Sequence, residues 1–224
     1  MLRAIVFDFD GVIANSEPLH FAAFRDVLAQ EGVTLTEHDY YAHYLGYDDV
    51  GMFKAIDAAR AWGPPEIARL VARKAVQLEA LEHDTSVLFP GAADAVRRAA
   101  AAMPVAIASG ARGAEIRRVL EREQLAGCFT AIVAAEDTPV SKPAPDPYRR
   151  AVSLLAAACG GTLAAAECVA IEDSRWGLES ARAAGLRTVA VTNSYPASTF
   201  AGAADLVIDS LASFDLDALS RLCP

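Results

Sequence analysis

Residues 4–11 read Ala4-Ile5-Val6-Phe7-Asp8-Phe9-Asp10-Gly11. Four apolar residues followed by two acids and a glycine describe a buried strand that delivers carboxylates at its C-terminal end. In an open α/β sheet that end is where ligands bind. In an extended chain the side chains of Asp8 and Asp10 share a face, and two like charges held so close need a cation or a shared proton. Taken alone, an Asp-Gly turn after a strand accounts for the same residues.

Beyond this segment, residues 16–82 carry no strand pattern. Phe21, Phe24, Val27 and Leu28 fall at helical spacing, and Trp62-Gly63-Pro64-Pro65 is expected to break the stretch into two helical hairpins. After Phe89-Pro90-Gly91 the texture alternates. Helices are expected at 91–102, 113–123, 146–158 and 175–184, and strands at 104–108, 130–134, 168–172 and 187–191. A last apolar run, Leu206-Val207-Ile208, and a helical tail from Asp215 complete the pattern. Such alternation implies right-handed crossovers and a parallel sheet. The first strand belongs with the later ones. Residues 1–15 and 86–224 therefore read as one Rossmann-like α/β core, and residues 16–85 as an inserted α-helical cap domain over the carboxyl edge of the sheet.

The 224 residues suit one core with a modest appendage, and 54% hydrophobic against 22% charged residues is the balance of a globular chain rather than a disordered one. The net charge of −9 disfavours nucleic acid and anionic lipid as partners, so a small anionic substrate must rely on local cations. Cys128, Cys159, Cys168 and Cys223 form no CxxC pair and no cluster with histidine, which suggests core residues in a reducing compartment. The chain is already strand-like by Ala4 and has no apolar run of the ~20 residues a membrane span needs. A cytoplasmic protein without a signal peptide is the expectation; the sequence does not fix the oligomeric state, and a monomer is compatible with it.

Further polar residues stand at the other strand ends. Strand 104–108 runs into Ser109-Gly110-Ala111, where the hydroxyl suits either a helix cap or, with free backbone N–H groups, a phosphate. Ser141-Lys142-Pro143-Ala144-Pro145 is a proline-stiffened loop presenting Lys142, which is either solvated surface or a cation for phosphoryl oxygens. Strand 168–172 ends in Glu172-Asp173-Ser174, where Asp173 either caps the next helix or joins the first acids. Together these supply two pairs of acids, a hydroxyl and a lysine. Phosphoryl transfer asks for that inventory, since it depends on in-line positioning and on stabilising charge spread over three oxygens. Magnesium suits hard oxygen ligands.

The order Asp8-Phe9-Asp10-Gly11-Val12, Ser109, Lys142-Pro143, Glu172-Asp173-Ser174 resembles the four motifs of the haloacid dehalogenase-like hydrolases across essentially the whole chain. The helical insertion with Glu17-Pro18-Leu19-His20 resembles the cap of the phosphoglycolate phosphatase and β-phosphoglucomutase subfamily. The resemblance implies that Asp8 is a nucleophile forming an aspartyl phosphate and that Asp10 protonates the leaving oxygen and then activates water. It implies Mg2+ held by Asp8, the Asp10 carbonyl and Asp173, with Glu172 reaching it through water. Ser109 and Lys142 would hold the transferred group, with Gly110 and Ala111 beside it and His20 and Lys74 as cap contacts to a small phosphorylated metabolite. The second place of Ser109-Gly110-Ala111 departs from members that carry asparagine there.

Mutases of this kind carry an arginine shortly after the cap glycine. Here Gly46 is followed by Tyr47-Asp48-Asp49, whose charge would repel a second phosphate. Hydrolysis is therefore expected, with a phosphosugar mutase as the enzymatic alternative. A catalytically silent binding protein on the same fold is the alternative of another class, and the retained acids argue against it. Tyr40, Tyr41, Tyr44 and Tyr47 either face a sugar or pack between helices.

Overall fold

The computed structural model describes residues 1–44, 47, 49–57, 62–84 and 86–223, the side chains of 57 and 82–84 excepted. Along the chain, β1 (Ala4–Phe7) is followed by α1 (Glu17–Gln30), α2 (Glu37–Asp39), α3 (Asp49–Asp57) and α4 (Pro64–Asp84). Helix and strand then alternate through α5 (Ala92–Ala102), β2 (Val105–Ala108), α6 (Gly113–Arg122), β3 (Ala131–Val133), α7 (Asp146–Ala158), β4 (Cys168–Glu172), α8 (Arg175–Ala183) and β5 (Arg187–Val191). β6 (Leu206–Ile208) and α9 (Leu216–Ser220) close the order. The chain divides into two compact units, Met1–Asn15 with Val87–Pro224, and Ser16–Ser86.

In the first unit the strands form one parallel sheet in the order β3-β2-β1-β4-β5-β6. β1 is central: Ile5 lies beside Val105 on one side and Val169 on the other, and Phe7 beside Ile107 and Ile171. Every residue of β1, β2 and β4 is buried, which is why these strands read as unbroken apolar runs rather than alternating ones. The chain builds outward from β1 through β2 to β3, then returns to the other flank of β1 with β4. The strand order thus reverses at β1, and the carboxyl ends of β2, β1 and β4 stand side by side at the switch point.

Helix α7 packs on β2 and β3 through Tyr148, Ala151 and Leu155, spaced to share one face. β2 starts one residue later than expected because Pro104 has no N–H for the ladder, although its carbonyl still accepts from Ile5.

The second unit is helical, with α1 packed chiefly on α4 and a core that includes Phe24, Leu28, Met52, Phe53 and Leu70. The break at Trp62-Gly63 falls where expected. Beyond it the chain forms one helix of 21 residues instead of a second hairpin. The two prolines sit in the first turn of α4, where no intrahelical bond is lost, and no glycine or proline recurs before Asp84. Between α2 and α3 the residues Tyr40–Tyr44 form a π-helical turn that the sequence pattern does not announce. Tyr40 is buried against Phe21 and Phe24, so packing accounts for it, whereas Tyr41 and Tyr47 are exposed. Among the described residues no helix is long and apolar enough to cross a membrane.

Candidate active site

Asp8 directly follows β1, and its N–H continues the ladder to the carbonyl of Ile171 at 2.9 Å. The chain does not stay extended beyond it. Gly11 takes a left-handed φ of 76°, and the N–H groups of Ile13 and Ala14 both turn back to the Phe9 carbonyl. Asp10 therefore lies in a turn, bridged to Ala14, and the two-residue strand repeat does not govern where its side chain goes. The extended-chain premise behind a shared face for Asp8 and Asp10 therefore does not apply at this turn. Asp8 meets Glu172 and Asp173 from the neighbouring strand end, each with a carboxylate oxygen within 4.8 Å of the others. The turn at Gly11 approaches Asp173 so closely that a Cβ there would stand 1.9 Å from Oδ2.

Each acid of the β4 end has its own anchors. Glu172 is fully buried, and its Oε1 accepts from Lys142 Nζ at 2.6 Å and from the Tyr148 hydroxyl at 2.7 Å. Its Oε2 accepts from Ser174 Oγ at 3.1 Å. Ser174, not Asp173, caps α8, taking the N–H of Gly177 at 3.1 Å. Asp173 is released from capping, and its Oδ2 accepts from the hydroxyl of Ser194. Lys142 precedes α7 through a cis bond to Pro143. Its loop is tied to α8 by Ser180 Oγ, which donates to the Ala144 carbonyl at 2.5 Å. The Lys142 ammonium lies 2.9 Å from Asp8 Oδ1, and that oxygen also accepts from the Phe9 N–H at 2.8 Å.

Ser109 follows β2 on the other flank of β1, and its N–H donates to the Val133 carbonyl at 2.9 Å. It does not cap α6. The Gly113 N–H goes to the Glu136 carboxylate at 3.1 Å, and Ser109 Oγ accepts from Ala111 N–H at 3.0 Å, so the hydroxyl keeps its own proton to donate. A Cβ at Gly110 would meet nothing within 4 Å.

One ammonium faces three carboxylates here in a largely buried place. Burial first, then the Glu172 charge, raises the Asp8 carboxyl well above its ordinary range despite Lys142. The same two causes raise Asp173 to about 6, against the pull of Ser194. Burial also opposes the charge on Lys142, but Asp8 and Glu172 outweigh it and hold the ammonium above its usual range. Negative charge is in excess, and all the converging acceptors are hard oxygens. The donor set therefore fits a divalent cation of the hard class.

His20 and Lys74 lie in the helical unit, with Lys74 Nζ 3.0 Å from His20 Nδ1 and 2.8 Å from Asp49 Oδ1. Lys74 is 2% exposed and also lies over the Phe24 ring, so it is not the solvated helix position that its charge suggests. Gly46 and Asp48, on which part of the contrast with mutases turns, lie outside the described residues.

Three residues of the site, Tyr148, Asn193 and Ser194, are not among those the sequence singles out. Asn193 donates to the Gly11 carbonyl at 2.8 Å, holding the turn after Asp10. Thr192-Asn193-Ser194 is a polar run at the carboxyl end of β5, the same signal that marks the other strand ends. Tyr148 offers only its place in the first turn of the helix after Lys142.

Residues 2–185 match the haloacid dehalogenase-like hydrolase family. The chain is 31% identical to protein CbbY of Rhodobacter capsulatus over 99% of both chains. It is 30% identical to hexitol phosphatase B of Escherichia coli (strain K12), over 85% of this chain and 83% of that one. A solved structure of a CbbY variant from Rhodobacter sphaeroides, in complex with xylulose-(1,5)bisphosphate, superposes with a TM-score of 0.77 at 28% identity. That match covers 95% of this chain and 96% of the other.

Proposed function

Since the chain belongs to the haloacid dehalogenase-like hydrolases and is a phosphoric monoester hydrolase, we propose that it is a magnesium-dependent phosphatase acting on a small sugar phosphate or a phosphoglycolate-like ester in the cytoplasm. The observation that carries this reading is the Lys142 ammonium set against Asp8, one of three converging carboxylates. Free cysteines and an acidic net charge support a reducing compartment and a small-molecule partner over nucleic acid.

Both described bonds of the Asp8 carboxylate fall on Oδ1, which leaves Oδ2 to attack phosphorus. As the bond from Asp8 to phosphorus forms, the ester P–O bond breaks, and Asp10 gives its proton to the departing alkoxide. Asp10, now a carboxylate, takes a proton from water. The resulting hydroxide displaces phosphate and restores the Asp8 carboxylate. Lys142 neutralises the oxygens of the transferring group, and the Ser109 hydroxyl donates to one of them. Asp8, the Asp10 carbonyl and Asp173 would hold Mg2+, which supplies charge stabilisation to the phosphoryl oxygens. Glu172 is read as reaching it through water, because Lys142, Tyr148 and Ser174 already occupy its oxygens.

A mutase would need cationic purchase on a second phosphate. Asp49 puts a carboxylate on Lys74 at 2.8 Å, and this favours hydrolysis. The test is a screen of phosphate esters with Mg2+, run beside Asp8→Asn. Phosphate release by the wild type and none by the variant is expected. Interconversion of β-glucose 1-phosphate and glucose 6-phosphate with negligible phosphate release would instead make the chain a mutase.

A further inference from the structure

Lysine brings its charge on four rotatable carbons, so an ammonium that must stay beside one oxygen needs a second fixed acceptor. Here that acceptor is Glu172 Oε1, 2.6 Å from Lys142 Nζ, while Asp8 Oδ1 lies 2.9 Å away on the same ammonium. Glu172 is fixed in turn. Gly177 admits its carboxyl group so tightly that a Cβ there would stand 1.9 Å from it, and Ser174 holds Oε2 at 3.1 Å. The remaining bond comes from Tyr148, whose hydroxyl reaches Oε1 at 2.7 Å.

We propose that Tyr148 is a positioning residue of the reaction: through Glu172, its phenolic O–H holds the Lys142 ammonium against Asp8. The ring of Tyr148 is fully buried in the core with Ala151, Leu155 and Val133. A phenylalanine would fill that space equally, so packing does not call for the oxygen. The hydroxyl's bond is to the one carboxylate oxygen that Lys142 also uses. With two donors sharing Oε1, the carboxylate is held in place and its pull on the ammonium is weakened, leaving Lys142 charge for Asp8 and the phosphoryl group. Burial and the Glu172 charge keep the phenol well above its ordinary pKa, so it remains a donor throughout the neutral range. Lys142 Nζ also stands 5.2 Å from the centre of the Tyr148 ring, a contact that the phenylalanine variant retains. That substitution therefore isolates the O–H.

The role rests on the phosphatase reading, and the experiment separates the two. Tyr148→Phe, Glu172→Gln and the double variant are compared with wild type in phosphate release under saturating Mg2+. The Lys142 ammonium is followed in parallel by 15N NMR of the side chain. Tyr148→Phe is expected to lower kcat about five- to twenty-fold with KM within about twofold. In the Glu172→Gln background the same change should cost less than about twofold, because the path through Glu172 is already cut. The Lys142 signal is expected to exchange slowly in the wild type and to broaden in Tyr148→Phe, a readout that survives if Glu172→Gln does not fold. Unchanged kcat with an unchanged Lys142 signal overturns the proposal, and so do losses that multiply in the double variant. A wild type that releases no phosphate would sink the phosphatase reading alone, since the NMR arm still reports on the link from Tyr148 to Lys142.

Discussion

Among single residues, Lys142 and Asp10 have opposite characters, and their variants should separate structure from chemistry. Lys142 is the only cation at three buried acids among the described residues, and Glu172 beneath it is fully buried. Lys142→Ala leaves that carboxylate without its counter-charge, which typically costs about 3–5 kcal/mol. Urea unfolding should show this loss of stability together with loss of turnover. Asp10 stands in a turn, partly buried, and its carboxylate is not one of the three that converge. If it moves the proton to and from the leaving oxygen, Asp10→Asn should lower kcat about 10²- to 10⁴-fold. Steady-state phosphate release measures this, and a variant within tenfold of wild type would remove Asp10 from the proton path.

Among the elements, the first turn of α8 does two jobs with few residues. Ser174 caps the helix at Gly177 and donates to Glu172 Oε2, while Gly177 leaves the space the Glu172 carboxyl fills. Ser174→Ala should therefore cost more than the roughly 1 kcal/mol of an ordinary cap, because a buried acceptor also loses its donor. Gly177→Ala should cost about 1–3 kcal/mol from overpacking. It should lower kcat as well, since the carboxyl group it displaces is the one that holds Lys142. A melt and an activity assay on both variants suffice, and a Gly177→Ala protein of wild-type activity would contradict the crowding. Some of this is legible in the sequence. The apolar strands and their acidic ends show in local pattern, because burial on both faces of a parallel sheet forces unbroken runs. The duty of each polar residue is not legible. Ser174 and Glu136 take the capping roles for which Asp173 and Ser109 are candidates, and only the packing of β4 beside β1, and of the loop after β3 beside α6, decides such a choice. The single long α4 follows from the lack of any glycine or proline between Pro65 and Asp84, which can be read in the sequence. Tyr148 cannot be found by pattern, because its target lies 24 residues along the chain, at the end of β4.

For the molecule as a whole, the acidic cluster is a cost that folding accepts in the absence of a cation, and its size depends on pH. Asp8 is held well above its ordinary range and Asp173 rises from 3.8 to about 6, both first through burial and next through Glu172. The folded chain then binds protons at these sites more tightly than the unfolded chain does. Stability from Asp173 is therefore fully present below about pH 4 and is lost as pH climbs through about 6, and Asp8 contributes in the same direction. For Asp173 alone a shift of this size is on the order of 3 kcal/mol by pH 7. A divalent cation that binds the folded state and prefers the ionised acids cancels this loss and adds its own binding free energy. Mg2+ should accordingly raise the melting temperature much more at about pH 7.5 than at about pH 5, where protons compete for the same oxygens. Melts with Mg2+ and with EDTA across that range read the difference directly. If the gain from Mg2+ were the same at both ends of the range, cation binding would not be displacing protons from Asp8 and Asp173, and the cation would have to be held by other groups.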